Sequence, residues 1–188
     1  MNPLLISEIK STLSPLMELS KGKDILSDKE LNKSLGESTI KILPRNGGVW
    51  SGIPGDSIWF PDRNIIPQKM NEGGKTWGTI LEEKKIEGIY FKDGEPDFSV
   101  VSKGTVEIKS FCDERYGIGG NFDQANQELA QQKGWTKQEV QSWMRENNYT
   151  WHERSDCKTM DAVPREIHNN IAHSGGISVI KNQIEYGR

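Results

Sequence analysis

Cysteine is scarce in this sequence: the 188 residues include only two, Cys112 and Cys157. Two cysteines are too few for the disulfide framework that stabilises small secreted proteins, so they favour a reducing compartment. A single disulfide between them stays an alternative. Long apolar runs are also missing, because no stretch approaches the roughly 20 residues that a membrane-spanning helix needs. The composition therefore predicts a soluble protein without a membrane span.

The N-terminus lacks the features of a secretion signal. Glu8 interrupts the apolar residues too early for a signal-peptide core, and no basic segment precedes them. We therefore expect no signal peptide. Any export would depend on a specialised secretion system or on a larger carrier protein.

Positive charge is not in excess, since 24 Lys and Arg face 27 Asp and Glu, for a net charge of −3. A nucleic-acid binder usually presents a basic surface, so this balance argues against a large basic interface. A small interface is still compatible with it, because the affinity for phosphate depends on the local patch of charge.

Glycine is abundant, with 19 residues, whereas 34% of the sequence is hydrophobic. This composition favours turns and short strands around a modest core rather than a helical bundle. The length suits one ordinary domain with a smaller module attached. We therefore predict an α+β fold with a small antiparallel sheet and several helices. A helical or connector segment at residues 1–45 precedes the domain at residues 46–188.

Apolar spacing and capping residues predict the helices. Residues 1–35 show near-helical apolar spacing that Pro15 interrupts. Thr136 and Glu139 form a capping box, the side-chain pattern that starts a helix. Beyond the N-terminal segment the predicted helices cover residues 74–81, 121–130 and 137–146.

Alternating residues and turn signals predict the strands. Three runs are separated by turns that contain Asp-Gly or Lys-Gly, and we expect them to form a three-stranded antiparallel sheet. These strands cover residues 88–91, 97–101 and 105–108. Residues 45–67 are rich in Gly and Pro, which predicts turns and short extended pieces, with Trp50 and Trp59 as buried anchors.

The chain has three histidines, and all lie in one C-terminal stretch, at His152, His168 and His173. Imidazole is the commonest metal ligand and the usual general base near neutral pH. Scattered structural histidines would not cluster in this way, and carboxylates lie between them in the sequence. The cluster therefore predicts a metallohydrolase site.

The spacing of the histidines predicts a strand, a polar turn, a second strand and a helix. His168 and His173 are five residues apart, which on one regular helix would turn them roughly 140° away from each other. Pro164 suits the first turn of a helix, and the glycine pair after His173 permits the turns that follow a helix end. We expect a helix from about Pro164 that carries His168 and ends near Asn170. His173 is then free to fold back, and His152 lies opposite on the first strand.

Several residues of this stretch fit a known motif together. They are Tyr149–Glu153 (YTWHE), Asp156, Thr159–Pro164 (TMDAVP), Ile167 with His168, and residues 173–176 (HSGG). In identity and spacing they resemble the WHH branch of the HNH nuclease superfamily, often found at the C-termini of bacterial polymorphic toxins. Two positions depart from the usual pattern. Glu153 stands where the family often has a second histidine, and Asp161 with Ala162 stands where it often has Gln-Leu.

The resemblance implies a fold, an activity and partners. The fold is a ββα-metal finger at about residues 147–180, and the activity is metal-dependent cleavage of DNA phosphodiester bonds by an endonuclease. One divalent ion is implied, either Zn, Mg, Mn or Ni, without a choice among them. A toxin nuclease of this kind acts in the bacterial cytoplasm, and it implies a cognate immunity protein that protects the producer.

The same resemblance suggests residue roles. His152 would be the general base that deprotonates water, and Glu153 a second catalytic residue whose role as ligand, auxiliary base or orienting group stays open. His168, His173 and Asp156 would be the metal ligands. Apart from the resemblance, cations cluster around the proposed site in the sequence, and we predict that Arg154, Lys158 and Arg165 bind the substrate.

Two other interpretations of the residues compete with this one. A closed zinc site would hold a non-catalytic binding module together. Its ligands would be His152, Cys157, His168 and His173. A restriction-type nuclease centre would instead use Asp97, Glu107 and Lys109, although charges that alternate along a strand are commonly a solvated face.

Overall fold

The computed structural model describes residues 41–186, and these residues form seven strands, five α-helices and one 3-10 turn. The strands make two small antiparallel sheets, which confirms the predicted α+β class. The helices expected in residues 1–35 lie outside the described residues.

The first sheet occupies the N-terminal part of the described chain. Its strands are β1 (Gly48–Trp50), β2 (Ile58–Pro61), β3 (Ile89–Lys92) and β4 (Glu95–Pro96), in that order and antiparallel. Residues 45–67 therefore contain a paired hairpin where the sequence predicted only turns and extended pieces. Gly48 permits this pairing, because a Cβ there would lie 2.3 Å from Phe60 O.

The first core lies between this sheet and the helix that follows β2. Helix α1 (Trp77–Lys84) begins one residue after Thr76, whose hydroxyl accepts a hydrogen bond from Thr79 N. It buries Ile80 and Leu81 completely. The core also contains Trp59, Trp77, Ile89, Phe91, Phe98 and Val101. The expected burial of Trp59 is confirmed.

The chain after β4 does not form the predicted strand at residues 97–101. Asp97 Oδ1 accepts a hydrogen bond from Ser99 N at 2.9 Å, and Ser99–Val101 make a 3-10 turn. The next strand, β5 (Thr105–Glu107), leaves this sheet and pairs with a strand much later in the sequence. The predicted three-stranded sheet of residues 88–108 is therefore wrong. Alternation identifies a strand but carries no information about its partner.

The second sheet contains a hairpin of β6 (Tyr149–Glu153) and β7 (Thr159–Pro164), with β5 on the outer edge of β7. Helix α4 (Arg165–His168) follows β7 directly, and α5 (Gly176–Tyr186) closes the described chain. The strand–turn–strand–helix unit expected around the histidines is confirmed.

The hairpin β6–β7 contributes to two cores. Two helices, α2 (Asn121–Lys133) and α3 (Lys137–Glu146), pack with its Trp151 and Ala162 in the second core. Val163, on the opposite face, belongs to the first core. The predicted capping box at the start of α3 is confirmed.

Among the described residues, no helix combines the length and the apolar character needed to cross a membrane.

Candidate metal and active site

Three separate elements bring the three histidines together. β6 supplies His152, the end of α4 supplies His168, and the loop after α4 supplies His173. One nitrogen from each ring lies within 4.8 Å of the others, and the described residues contain no second such group of His, Cys, Asp or Glu. The grouping expected from the spacing is therefore confirmed.

Gly175 explains how the loop after α4 returns to the strand. A Cβ at this position would lie 2.5 Å from Glu153 O and 3.6 Å from His152 Cε1. Real side-chain atoms do not approach backbone so closely, so only glycine lets the loop lie directly against β6. This close approach places His173 beside His152.

Hydrogen bonds orient two of the rings. His173 Nδ1 lies 2.8 Å from Ile171 O, and His168 Nδ1 lies 3.1 Å from Asn169 Oδ1. Both oxygens are acceptors, so Nδ1 of each ring carries the proton and Nε2 keeps its lone pair. Outer hydrogen bonds of this kind are the usual way in which metal-binding histidines are oriented.

Burial keeps the histidines uncharged. The side chain of His152 is 1% exposed, and burial lowers the pKa of all three rings below the usual value, that of His168 to about 3. Phe98 forms an apolar floor, with its ring centroid 4.9, 5.7 and 5.4 Å from those of His152, His168 and His173. Neutral rings are the form of imidazole that binds a metal.

The separation between His152 and His168 suits shared coordination. His152 Nδ1 lies 3.3 Å from His168 Nε2. In the metal-free protein this distance allows an N–H···N hydrogen bond. Two nitrogens roughly 2.0–2.1 Å from one tetrahedral ion would lie about 3.3–3.4 Å apart. The donor set and its spacing therefore fit a divalent metal ion.

Glu95 approaches the other nitrogen of His152 and was not predicted. His152 Nε2 is buried without a hydrogen-bond partner, and Glu95 Oε1 lies 3.9 Å from it. The same carboxylate accepts hydrogen bonds from the amide and the hydroxyl of Ser155, at 2.6 and 2.5 Å. A neutral ring makes the contact with His152 polar rather than ionic. Glu95 comes from β4 of the first sheet, so no local sequence signal indicates that it lies here.

Glu153 points away from the histidines. Successive residues of a strand face opposite sides of a sheet, and Glu153 pairs with Met160 on the face that α2 covers. Its buried carboxylate accepts hydrogen bonds from Arg115 Nε at 2.6 Å and from Asn121 Nδ2 at 2.9 Å. Its predicted catalytic role stays a prediction, and the structure gives it these two partners instead of a place among the rings.

Asp156 and Cys157 lie in the turn between β6 and β7. The Asp156 carboxylate accepts hydrogen bonds from Lys158 N, Thr159 N and Thr159 Oγ1, so it closes the turn and is not part of the histidine group. Cys157 Sγ instead lies 3.7 Å from Ser155 O and from Gly176 O. Burial, then nearby carboxylates, raise the pKa of the Cys157 thiol and so disfavour the thiolate that a closed zinc site needs. Both cysteines are free.

The predicted substrate-binding cations already have partners within the protein. Arg154 Nε donates to Asp161 Oδ2 at 2.6 Å, and this hydrogen bond raises the pKa of Arg154. Lys158 Nζ lies 2.7 Å from Glu107 Oε2. Arg165 Nε donates to the carbonyl oxygen of Tyr149 at 2.9 Å. Asp161, at the second departure from the WHH pattern, therefore serves as the partner of Arg154.

The restriction-type set is not assembled. Asp97 accepts a hydrogen bond from Ser99 N in the 3-10 turn, Glu107 pairs with Lys158, and the exposed Lys109 lies 3.9 Å from Glu128 on α2. None of these carboxylates belongs to a metal-binding group among the described residues. Glu107 and Lys109 are largely exposed, as charges on a solvated face are.

A cavity gives access to the site from the α4 side. Its volume is about 360 Å³, and it borders the rings of His168 and His173. The residues lining it are Ile42, Lys69, His168, Asn169, Asn170, Ile171, Ala172 and His173. Two of the three rings are thus accessible from this cavity, with one lysine at its border.

A comparison with protein families finds a match to this region. Residues 88–175 match the DNase/tRNase domain of colicin-like bacteriocins. The colicin-like match covers just under half of the chain and contains all three histidines together with Glu95, Phe98 and Arg115. It supports a nuclease toxin domain, that is, a hydrolase that acts on nucleic acid. A search of curated proteins gives no match.

Proposed function

We propose that this chain is a metal-dependent DNA endonuclease of the HNH type and the toxic effector of an interbacterial toxin–immunity system. The observation that carries the proposal is the group of three neutral histidines, one buried and two half-buried, on a strand–strand–helix unit. The colicin-like match to the same region supports the nuclease activity and the toxin class.

His152, His168 and His173 would together hold one divalent ion. Such an ion supplies positive charge that stabilises the charge developing on a phosphodiester during cleavage, and it lowers the pKa of water. Three imidazole ligands favour a transition metal such as zinc or nickel over magnesium, which prefers oxygen ligands.

The geometry favours a ligand role for His152 over the general-base role expected from the sequence. A base must reach water or substrate, and the His152 side chain is 1% exposed. Its Nδ1 faces the nitrogen of His168, and its Nε2 faces Glu95. The ring therefore has no open side from which to take a proton.

The other residues of the site would hold these rings in place and admit the substrate. Asn169 and the Ile171 carbonyl fix the ring orientations, and Phe98 keeps water from the inner side of the rings. The cavity beside His168 and His173 leaves room for a phosphate group to approach the outer side. The site thus combines a rigid inner wall with one open face, as a catalytic metal centre requires.

Cleavage of purified nucleic acid tests the proposal. The protein is stripped of metal and incubated with supercoiled plasmid or with tRNA, after addition of Zn, Ni, Mn or Mg. We expect plasmid nicking that depends on added metal, stops with a chelator and is lost in His168→Ala. Cleavage of tRNA alone would reassign the substrate to RNA. Folded, metal-loaded protein that cleaves neither would overturn the proposal.

Expression in bacteria tests the toxic role and the need for a partner. A nuclease toxin should stop growth and fragment the chromosome, whereas the His168→Ala variant at the same level should not. An immunity protein is then implied, because a producer cannot survive an unrestrained nuclease. Normal growth and intact DNA during expression of soluble wild-type protein would contradict the toxin assignment.

A further inference from the structure

The buried carboxylate of Glu153 forms an ion pair with Arg115, whose side chain reaches solvent. Glu153 is 3% exposed at its side chain, whereas that of Arg115 is 46% exposed, and the two are joined at 2.6 Å. A pair of this kind buries one charge and presents the other at the surface. Glu153 follows His152 directly in β6, so the guanidinium is anchored to the strand that carries the first histidine.

Asn121 makes this attachment rigid. Its buried side chain donates to Glu153 Oε1 and to Cys112 O, at 2.9 and 2.8 Å, and accepts from Cys112 N at 3.0 Å. The backbone of Arg115 is also fixed to α2, because Phe122 N donates a hydrogen bond to Arg115 O at 3.0 Å. The position of Arg115 is therefore set by α2 and β6 together and not by a free loop.

The outward side of Arg115 is available for a ligand. The guanidinium uses Nε for Glu153, and its two Nη groups make no hydrogen bond to any residue that the structure describes. A planar guanidinium held at Nε presents its remaining N–H groups in a fixed direction, which suits phosphate oxygens.

We propose that Arg115 binds the phosphate of the nucleic acid at this site and that Glu153 is the residue that positions it. The inference rests on the proposed function, since it names a substrate contact of the same site. It also assigns a role to the glutamate that stands where the WHH pattern often has a second histidine. Glu153 then acts through Arg115, without contact with the reacting atoms.

The test compares Arg115→Ala with Arg145→Ala, a matched control that removes one exposed positive charge from α3. Arg115→Ala should bind zinc or nickel within about twofold of wild type and cleave plasmid about 10²–10³ times more slowly per folded molecule. In metal-free protein, its DNA binding should lose about one unit of salt dependence. Arg145→Ala should leave cleavage and salt dependence unchanged.

Glu153→Gln and the double variant test the positioning role. Glu153→Gln alone should slow cleavage at least about tenfold, but should add no further loss in the Arg115→Ala background, because Glu153 acts through the missing guanidinium. Arg115→Lys, which keeps the charge and lowers the risk of unfolding, should recover only part of the activity. Thermal unfolding of each variant separates loss of fold from loss of activity.

The outcomes distinguish this inference from the proposed function. If wild-type protein cleaves and Arg115→Ala cleaves like Arg145→Ala, the ion pair is only a structural clip and the inference fails. A further loss from Glu153→Gln in the Arg115→Ala background would mean that Glu153 acts independently of Arg115, and would also overturn it. If wild-type protein does not cleave, the proposed function fails. The phosphate contact is tested separately: DNA binding by metal-free Arg115→Ala with the salt dependence of wild type would reject it.

Discussion

At the scale of single residues, the strand geometry of β6 separates two neighbours that the sequence placed together. His152 faces the other histidines and the Phe98 ring, whereas Glu153 faces α2 and Arg115. The pleat of the strand turns the two side chains to opposite faces, so Glu153 contacts Arg115 and Asn121 rather than the rings.

The metal content of histidine variants shows whether His152 is a metal ligand or a general base. Loss of a hydrogen bond that orients a metal ligand typically weakens metal binding about 10- to 100-fold. We expect a larger loss of affinity when a ligand itself is removed, in each of the variants His152→Ala, His168→Ala and His173→Ala. Cys157→Ala should keep wild-type affinity, since its sulfur lies outside the group. Metal content after gel filtration and titration calorimetry would show this. Full metal retention in His152→Ala, together with lost cleavage, would restore the general-base role.

The sequence predicted the histidine cluster but not its surroundings. The three histidines lie within one short stretch, so their spacing and the Pro and Gly residues nearby contained the needed information. Glu95 and Phe98 come from β4 of the first sheet and the turn after it, and Arg115 comes from the loop before α2. Their positions depend on tertiary pairing, which has no local signature.

At the scale of elements, the turn of the β6–β7 hairpin depends on Asp156. Its carboxylate accepts three hydrogen bonds, two from backbone amides and one from the Thr159 hydroxyl. Hydrogen bonds to a charged group stabilise a fold measurably, so Asp156→Ala should lower the free energy of unfolding by about 1–2 kcal/mol. Chemical denaturation of metal-free protein measures the loss.

The same variant tests the predicted ligand role of Asp156. The metal affinity of Asp156→Ala should equal that of wild type once folding is complete. Loss of metal from the folded variant would place Asp156 among the ligands after all.

The loop that carries His173 depends on the absence of a side chain at Gly175. Gly175→Ala would force the loop away from Glu153 O and so move His173, which should weaken metal binding about 10- to 100-fold. Gly73→Ala is a suitable control, because a Cβ there would lie 3.7 Å from Lys75 and the backbone needs no special conformation. Equal metal affinity in the two variants, measured by titration calorimetry, would contradict this account.

Elements were predicted well where their signals are local and poorly where they depend on a partner. The helix at residues 137–146 was predicted with its capping box, and both hairpin strands near the histidines were expected. In the first sheet the strand β3 was predicted, but β1 and β2 were missed, because Gly- and Pro-rich residues 45–67 show little alternation. At residues 97–101, the second predicted strand, one local hydrogen bond from Ser99 N to Asp97 accompanies a 3-10 turn instead.

At the scale of the whole molecule, the net charge of −3 limits electrostatic binding to nucleic acid. Each phosphate contact contributes about −0.9 to the slope of log affinity against log salt for duplex DNA. Several cations near the site are already paired, so we expect a slope smaller in magnitude than about 5. Fluorescence anisotropy of metal-free protein with duplex DNA from low to moderate salt measures it. A steeper slope would reveal a basic surface beyond the site.

The β6–β7 hairpin belongs to both cores, with Trp151 and Ala162 in one and Val163 in the other. Opening either core alone leaves the hairpin packed on one face, so its inner backbone amides should remain protected through every partial opening. They should exchange with deuterium only when the entire chain unfolds. Amide exchange with a site-resolved readout would then give Thr150, His152 and residues 160–163 the slowest rates among the residues that the structure describes. The strand that carries His152 would thus be the last part of the molecule to meet solvent, and its exchange rate would report the global stability of the fold.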